Sequence, residues 1–193
     1  MKIDLNNTIA LTKGGLLDRE NTWRAYFENT PDWKETAISL TAPLILANVV
    51  LSMVFSRLSG GFVSYGIGHG FLVALFISLF MAVIGVAVFA FVINLMAGVF
   101  DGKGDFSRAF AAVTFAMIPA WLAGIVGALI PWVGAFVALA GGITGLVFLY
   151  QILPLALAIP EQKRVMHFVS SIVLGIALEM MIGFLLVGGS LSH

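Results

Sequence analysis

The longest uncharged stretch of the chain lies between Arg108 and Glu161 and reads RAFAAVTFAMIPAWLAGIVGALIPWVGAFVALAGGITGLVFLYQILPLALAIPE. A helix rises about 1.5 Å per residue, so roughly 20 apolar residues cross a hydrocarbon core about 30 Å thick. Residues 109–160 are long enough for two crossings, and the segment 130–134 (IPWVG) supplies a short uncharged turn between them. The stretch therefore predicts a tight hairpin of two transmembrane helices.

The rest of the chain has the same apolar character. Its 193 residues are 60% hydrophobic and 10% charged, with a mean hydropathy of +1.05, whereas a soluble domain carries about 25% charged residues. Five segments are long and apolar enough to span a bilayer: 35–56, 70–97, 109–130, 132–153 and 165–187. The sequence predicts an all-α integral membrane protein, with residues 35–193 forming a five-helix transmembrane domain.

Residues 1–34 are predicted to form a cytoplasmic segment that includes a short amphipathic stretch. Trp23, Tyr26 and Phe27 stand at helical spacing among charged neighbours. Two interpretations remain open. The stretch lies in the headgroup plane of the membrane, or it packs as a soluble helix against the loops of the bundle.

The distribution of Lys and Arg predicts the orientation of the bundle. With five crossings, one side of the membrane receives nine of the ten basic residues and the other side receives only Arg57. Basic residues concentrate in cytoplasmic loops. We therefore expect a cytoplasmic N-terminus and an outside C-terminus, in a bacterial cytoplasmic (inner) membrane. The basic residues balance ten acidic ones and form no long basic block, which excludes nucleic-acid binding.

The sequence contains no recognisable catalytic or metal-binding pattern. It has no cysteine, and the loop 101–108 (DGKGDFSR) lacks the glycine spacing of a P-loop and the ligand spacing of an EF-hand. His69, His167 and His193 fall near the predicted membrane edges, where we expect them to be interfacial. We expect no catalytic residue, no cofactor, no metal and no enzyme activity.

One acidic residue, Glu179, lies deep within a predicted crossing. An acid at the helix centre costs about 2.5–3.5 kcal/mol on the insertion scale, so it should face the bundle interior or be neutral. Counting along the helices places Asn48 at a similar depth, with Ser52 one turn further on. We predict that Glu179 hydrogen-bonds to Asn48 in a candidate intramembrane polar site. Its role is either structural or that of a transport site.

Small residues and prolines interrupt the apolar helices. Small residues recur four apart, as at Gly134, Ala138 and Gly142, a pattern that favours close helix packing in lipid over a pore lining. Pro43 and Pro119 lie within the first and third predicted helices. Because proline has no amide hydrogen, Pro43 frees the carbonyl of Ser39 and is expected to kink its helix.

The chain resembles the Yip family (Ypt/Rab-interacting membrane proteins) in a short bacterial form. The residues that carry the resemblance are Thr22-Trp23-Arg24, Gly102-Lys103-Gly104, Phe106, Arg108, Pro119, the segment 145–150, Ile159-Pro160 and Lys163. The resemblance implies a five-helix bundle with a cytoplasmic N-terminus and, in eukaryotic members, trafficking roles through Rab-type GTPases. No Asp-Leu-Tyr-Gly-Pro-type motif occurs here, so Rab binding is not expected.

These observations predict a non-enzymatic membrane organiser that binds lipid, a protein partner or a second copy of itself. Basic side chains near a membrane surface attract anionic lipid by about 1 kcal/mol each. The candidate contacts on the cytoplasmic face are Trp23, Arg24, Lys103, Arg108, Lys163 and Arg164. The alternative is a small transporter or channel that uses Glu179.

Overall fold

The computed structural model describes residues 4–29, 32–59 and 70–188. Over these ranges the chain is helical and contains no strand, which confirms the predicted all-α class. The seven helices are α1 (Leu5–Leu17), α2 (Arg19–Glu28), α3 (Trp33–Leu58), α4 (Phe71–Val99), α5 (Phe106–Leu129), α6 (Pro131–Leu157) and α7 (Glu161–Gly188). Five of them, α3 to α7, are long and apolar enough to cross a membrane.

Helix α5 is the centre of the bundle. In its most apolar stretch, 67% of the residues are buried, against 11–39% in the corresponding stretches of the other four long helices. It packs against α3, α4 and α6, and its N-terminal half presents small side chains such as Ala109, Ala112 and Ala116, all buried. Small residues allow helix backbones to approach closely in lipid, where no hydrophobic force drives helices together.

Helices α5 and α6 form the predicted hairpin, and glycines set its closeness. A Cβ on Gly134 would lie 2.6 Å from the carbonyl oxygen of Gly127, and a Cβ on Gly145 would lie 2.7 Å from that of Ala116. Real Cβ atoms do not approach carbonyl oxygens so closely. These glycines therefore serve helix packing, as the spacing of small residues predicts.

Helix α1 is an element that the sequence analysis missed. The Asp4 side chain caps it by accepting hydrogen bonds from the backbone N–H groups of Asn6 and Asn7, at 2.9 and 3.2 Å. The Thr8 hydroxyl of α1 donates to the Ser39 carbonyl at 2.5 Å, which is the carbonyl that Pro43 leaves without its helical amide. The proline in α3 thus creates an acceptor that fixes α1 to the bundle.

The bundle has two distinct ends. At one end the turn after α4 meets the link between α6 and α7, where Lys163 pairs with Asp101 and the Lys103 N–H donates to the Leu157 carbonyl at 2.7 Å. Helix α2 lies at this same end. At the opposite end the Ser59 hydroxyl donates to the carbonyl of Ala128 at 3.0 Å. The basic regions 103–108 and 163–164 and the basic residues of α2 therefore share one end.

Candidate functional site: the N-terminal cap and the Glu179 cleft

Helices α1 and α2 together form what we call the N-terminal cap, and Arg108 fastens it to the bundle. The Arg108 guanidinium donates from Nη1 to the Phe27 carbonyl at 2.8 Å, from Nε to the Ala156 carbonyl at 2.6 Å and from Nη2 to the Leu155 carbonyl at 3.1 Å. It also lies 5.0 Å from the centroid of the Phe27 ring. These carbonyls belong to the last turns of α2 and α6, where backbone carbonyls have no amide partner four residues further on within the helix. One side chain therefore caps two helices.

The aromatic face of α2 points into the protein. Trp23 is 3% exposed and Phe27 is 2% exposed. The Trp23 ring packs edge-on against Phe148 of α6, with ring centroids 5.4 Å apart. The structure supports packing on the bundle and corrects the headgroup interpretation of this stretch. Trp23 is therefore enclosed by the protein and is not available as a contact for lipid or for a partner.

Tyr26 joins the cap to α3 and α5. Its hydroxyl shares a hydrogen bond of 2.9 Å with the Thr36 hydroxyl, and its ring packs edge-on against Phe115 at 5.1 Å. Burial raises the pKa of Tyr26 above its ordinary value, an effect that the hydrogen bonds to Thr36 and Ser39 partly oppose.

This pKa shift predicts how stability depends on pH. The neutral phenol is favoured in the folded state, so its contribution is complete below the unfolded pKa of about 10 and is lost as the pH rises through the higher folded value. Tyr26→Phe should remove this alkaline loss of stability while costing about 1 kcal/mol at neutral pH through the lost hydrogen bond. Unfolding in detergent micelles between about pH 8 and 11 checks the prediction. An unchanged alkaline loss in the Tyr26→Phe variant would contradict it.

The other predicted contact residues at this end differ in their availability. Arg24 is exposed and, among the described residues, pairs only with Glu20, at 3.2 Å and one helical turn away. Lys103 is exposed, and Lys163 pairs with Asp101. The Arg164 guanidinium lies 5.4 Å from the Tyr150 ring centroid. Arg108 directs its donors to the chain's own carbonyls, so Arg24 and Lys103 are the predicted basic contacts that this end leaves exposed.

The structure does not join the predicted polar pair inside the bundle. Asn48 Nδ2 donates to the Trp121 carbonyl of α5 at 2.6 Å, and Ser52 Oγ is buried without a hydrogen-bond partner in the described part of the chain. Glu179 instead faces Gly85 of α4, where a Cβ would lie 3.6 Å from Glu179 Oε1. The predicted hydrogen bond between Glu179 and Asn48 is therefore wrong, because the Trp121 carbonyl accepts from Asn48. Glu179 is also exposed beside α4, and the expectation that it faces the bundle interior is wrong.

Glu179 lines an open apolar space that we call the Glu179 cleft. A cavity of about 250 Å³ lies between the carboxyl group, α4 and α5, and its walls include the side chains of Phe89 and Trp121. A second cavity of about 450 Å³ continues along α6 past Gly142. The two cavities share Phe89 and two residues of α5, Val113 and Met117, and together they make up the Glu179 cleft.

A family model of the Yip1 domain matches residues 14–182. The chain belongs to the Yip1 family. A search of curated proteins and a search of solved structures each gave no match. The Yip1 match begins at the end of α1 and ends in α7, so it includes α2, Arg108 and Glu179. Together with the five apolar helices it identifies a multi-pass integral membrane protein.

The Yip1 domain also contains a polar stripe that the sequence analysis recognised only in part. His167, Ser171, Gly175 and Glu179 follow one another at intervals of four along α7. His167 and Ser171 are 0% exposed, and His167 Nε2 is 3.2 Å from the Ile93 carbonyl of α4. His167 is enclosed within the bundle near the end of α4, where its ring packs edge-on against Phe100 at 5.9 Å, while His69 and His193 lie outside the described residues. The spacing of four from Ser171 and Glu179 was the signal that pointed to His167.

Proposed function

We propose that this Yip1-family protein is a non-enzymatic membrane organiser whose N-terminal cap receives a protein partner on the cytoplasmic side. The observation that carries the proposal is the fixation of the cap by Arg108, whose guanidinium holds α2 to the end of α6. A surface that is already fixed loses less conformational entropy when it binds a partner. The outward side of α2 is polar and exposed at Glu20, Arg24 and Glu28.

The orientation and location are part of the same proposal. With five crossings, nine of the ten basic residues fall in the sequence regions on the side of the cap, and such residues concentrate on the cytoplasmic side of membranes. This distribution supports a cytoplasmic cap in a short, bacterial-type member of the family that resides in the inner membrane. The exposed Lys103 side chain then faces anionic lipid, which adds a bilayer contact to the protein contact.

Photo-crosslinking in native membranes tests the cap as a docking surface. A benzophenone side chain at Arg24, on the exposed side of α2, should give a discrete protein adduct. A matched probe at Val173, on the exposed side of α7, should give only lipid adducts. Equal protein adducts at the two positions, or none at Arg24, would contradict the proposal.

A second candidate function is that of a small transporter, and a specific observation favours it. Glu179 forms no hydrogen bond or ion pair with any described residue, although it lies deep in a crossing and borders a cleft. Intramembrane acids commonly mark substrate or ion pathways. Solute flux into liposomes that depends on Glu179 would support this function, and its absence alongside a cap adduct would favour the organiser.

A further inference from the structure

The Glu179 cleft has a shape suited to a ligand that enters from the bilayer. Helices α6 and α7 meet near the cap, where Tyr150 packs edge-on against Phe168 with ring centroids 5.4 Å apart. Farther along, the two cavities open over α5. Along the wall formed by α6, a Cβ built on Gly142 would meet nothing within 4 Å, so this side of the cleft is open space.

The cleft has a single acidic group and no basic group to balance it. The other residues that line the cavity are Met81, Ala82, Gly85, Val86 and Phe89 of α4, and Val113, Met117 and Trp121 of α5. None of these side chains is charged or titratable. Glu179 itself is exposed at the mouth of the cavity. An unpaired carboxylate in an apolar medium is unfavourable unless a proton or a cation neutralises it. The charge of the site is therefore complementary to that of a cation.

Two aromatic side chains make an organic cation the fitting occupant. Phe89 and Trp121 line the same cavity as the Glu179 carboxyl group. Aromatic faces attract cations, and such rings commonly recognise alkylated ammonium groups. A proton would neutralise Glu179 but would leave the adjoining 450 Å³ of apolar space empty. An organic cation would neutralise the same charge, and its apolar body would fill that space.

We propose that the Glu179 cleft binds a membrane-soluble organic cation, with Glu179 as counter-ion, Phe89 and Trp121 as aromatic contacts, and the wall of α6 around its apolar body. The proposal names a ligand class for the same site that the second candidate function, transport, would use. It rests on that candidate function only for the location of the site. It does not require transport. It is also independent of the cap, so its failure leaves the crosslink at Arg24 unaffected.

Equilibrium binding tests the proposal without measuring flux. The probe is radiolabelled tetraphenylphosphonium, a permanent lipophilic cation, added to the full chain in phosphatidylcholine nanodiscs, with protein-free nanodiscs as background. We expect saturable binding. Glu179→Gln should weaken it at least tenfold, and Gly142→Leu should weaken it comparably by filling the wall of α6. Met180→Leu, on the exposed side of α7 next to Glu179, is the matched control and should bind as the unaltered chain does.

Two results would overturn the proposal. The first is binding that does not exceed partition into empty nanodiscs, which is the result expected if a neutral lipid chain or a second copy fills the cleft. The second is equal affinity in the unaltered chain and the Glu179→Gln variant. The Gly142→Leu variant, which keeps the carboxyl group, provides an independent test if Glu179→Gln fails to fold. Unchanged affinity in a folded Gly142→Leu variant would likewise count against the cleft.

Discussion

Replacing Arg108 by alanine is expected to lower the free energy of unfolding by about 3 kcal/mol and to release the N-terminal cap. Hydrogen bonds to charged groups contribute about 1.5–3 kcal/mol each, and Arg108 donates three of them to carbonyls at the ends of α2 and α6. Because the guanidinium is partly exposed, water replaces some of the lost hydrogen bonds. The expected loss of stability is therefore smaller than the sum of three separate hydrogen bonds. The variant also loses the contact between the guanidinium and the Phe27 ring.

Two further variants separate the hydrogen-bond geometry from the charge. Arg108→Lys keeps the charge but not the planar fork of donors, so it should recover less than half of the lost stability. Arg24→Ala removes an exposed arginine that pairs only with Glu20, and should cost at most about 0.5 kcal/mol. Unfolding in detergent, followed by tryptophan fluorescence, compares the three variants. Equal losses for Arg108→Ala and Arg24→Ala would show that Arg108 does not fasten the cap.

The second large effect is expected at Gly141, where α6 packs closely against α5. A Cβ on Gly141 would overlap the Ala123 Cβ and would lie 2.9 Å from the Pro119 carbonyl oxygen. Neither atom is the end of a flexible side chain, so the helices must separate. Overpacking of this kind costs about 1–3 kcal/mol, and we expect Gly141→Ala to destabilise the hairpin by about 2 kcal/mol.

The neighbouring residue provides the control for Gly141. Gly142 has the same chemistry and lies in the same helix, but a Cβ on it would meet nothing within 4 Å. Gly142→Ala should therefore leave stability unchanged or raise it slightly, since alanine is a better helix former than glycine. The two variants can be compared by the same unfolding assay. Similar losses at both positions would mean that the packing of α5 on α6 is not the cause.

The sequence was sufficient to predict the five long apolar helices and the ends that they share, because these features depend on local patterns. The uncharged stretch between Arg108 and Glu161 predicted the α5–α6 hairpin, and the structure has it with the turn at Ile130. Helix α1 was missed because its apolar residues form no clear stripe. The signals that were available were Asp4 as a helix cap and the Ser39 carbonyl freed by Pro43, which had no predicted partner.

The candidate sites were harder to predict because they depend on rotation about helix axes. Counting residues gives the depth of Asn48 and Glu179, and that depth is similar for both. It does not say which neighbour each side chain faces. Asn48 donates a hydrogen bond to the Trp121 carbonyl, and Trp121 also lines the Glu179 cleft. Asn48 and Glu179 therefore each lie near Trp121 and do not bond to each other. Arg108 illustrates a related limit: a basic residue at a membrane end suggested lipid contact, and only the fold showed the carbonyls that it binds.

The account places the cap and both basic links on one side of the membrane and the turn of the α5–α6 hairpin on the other. Because the chain has no cysteine, single cysteines can report the side of each position. Suitable exposed positions are Glu28, Lys103 and Glu161 for the first side and Trp132 for the second. With a membrane-impermeant maleimide on intact cells, we predict labelling of Trp132→Cys alone, and labelling of all four variants after permeabilisation. Labelling of Glu28→Cys and Trp132→Cys from the same side would contradict the account.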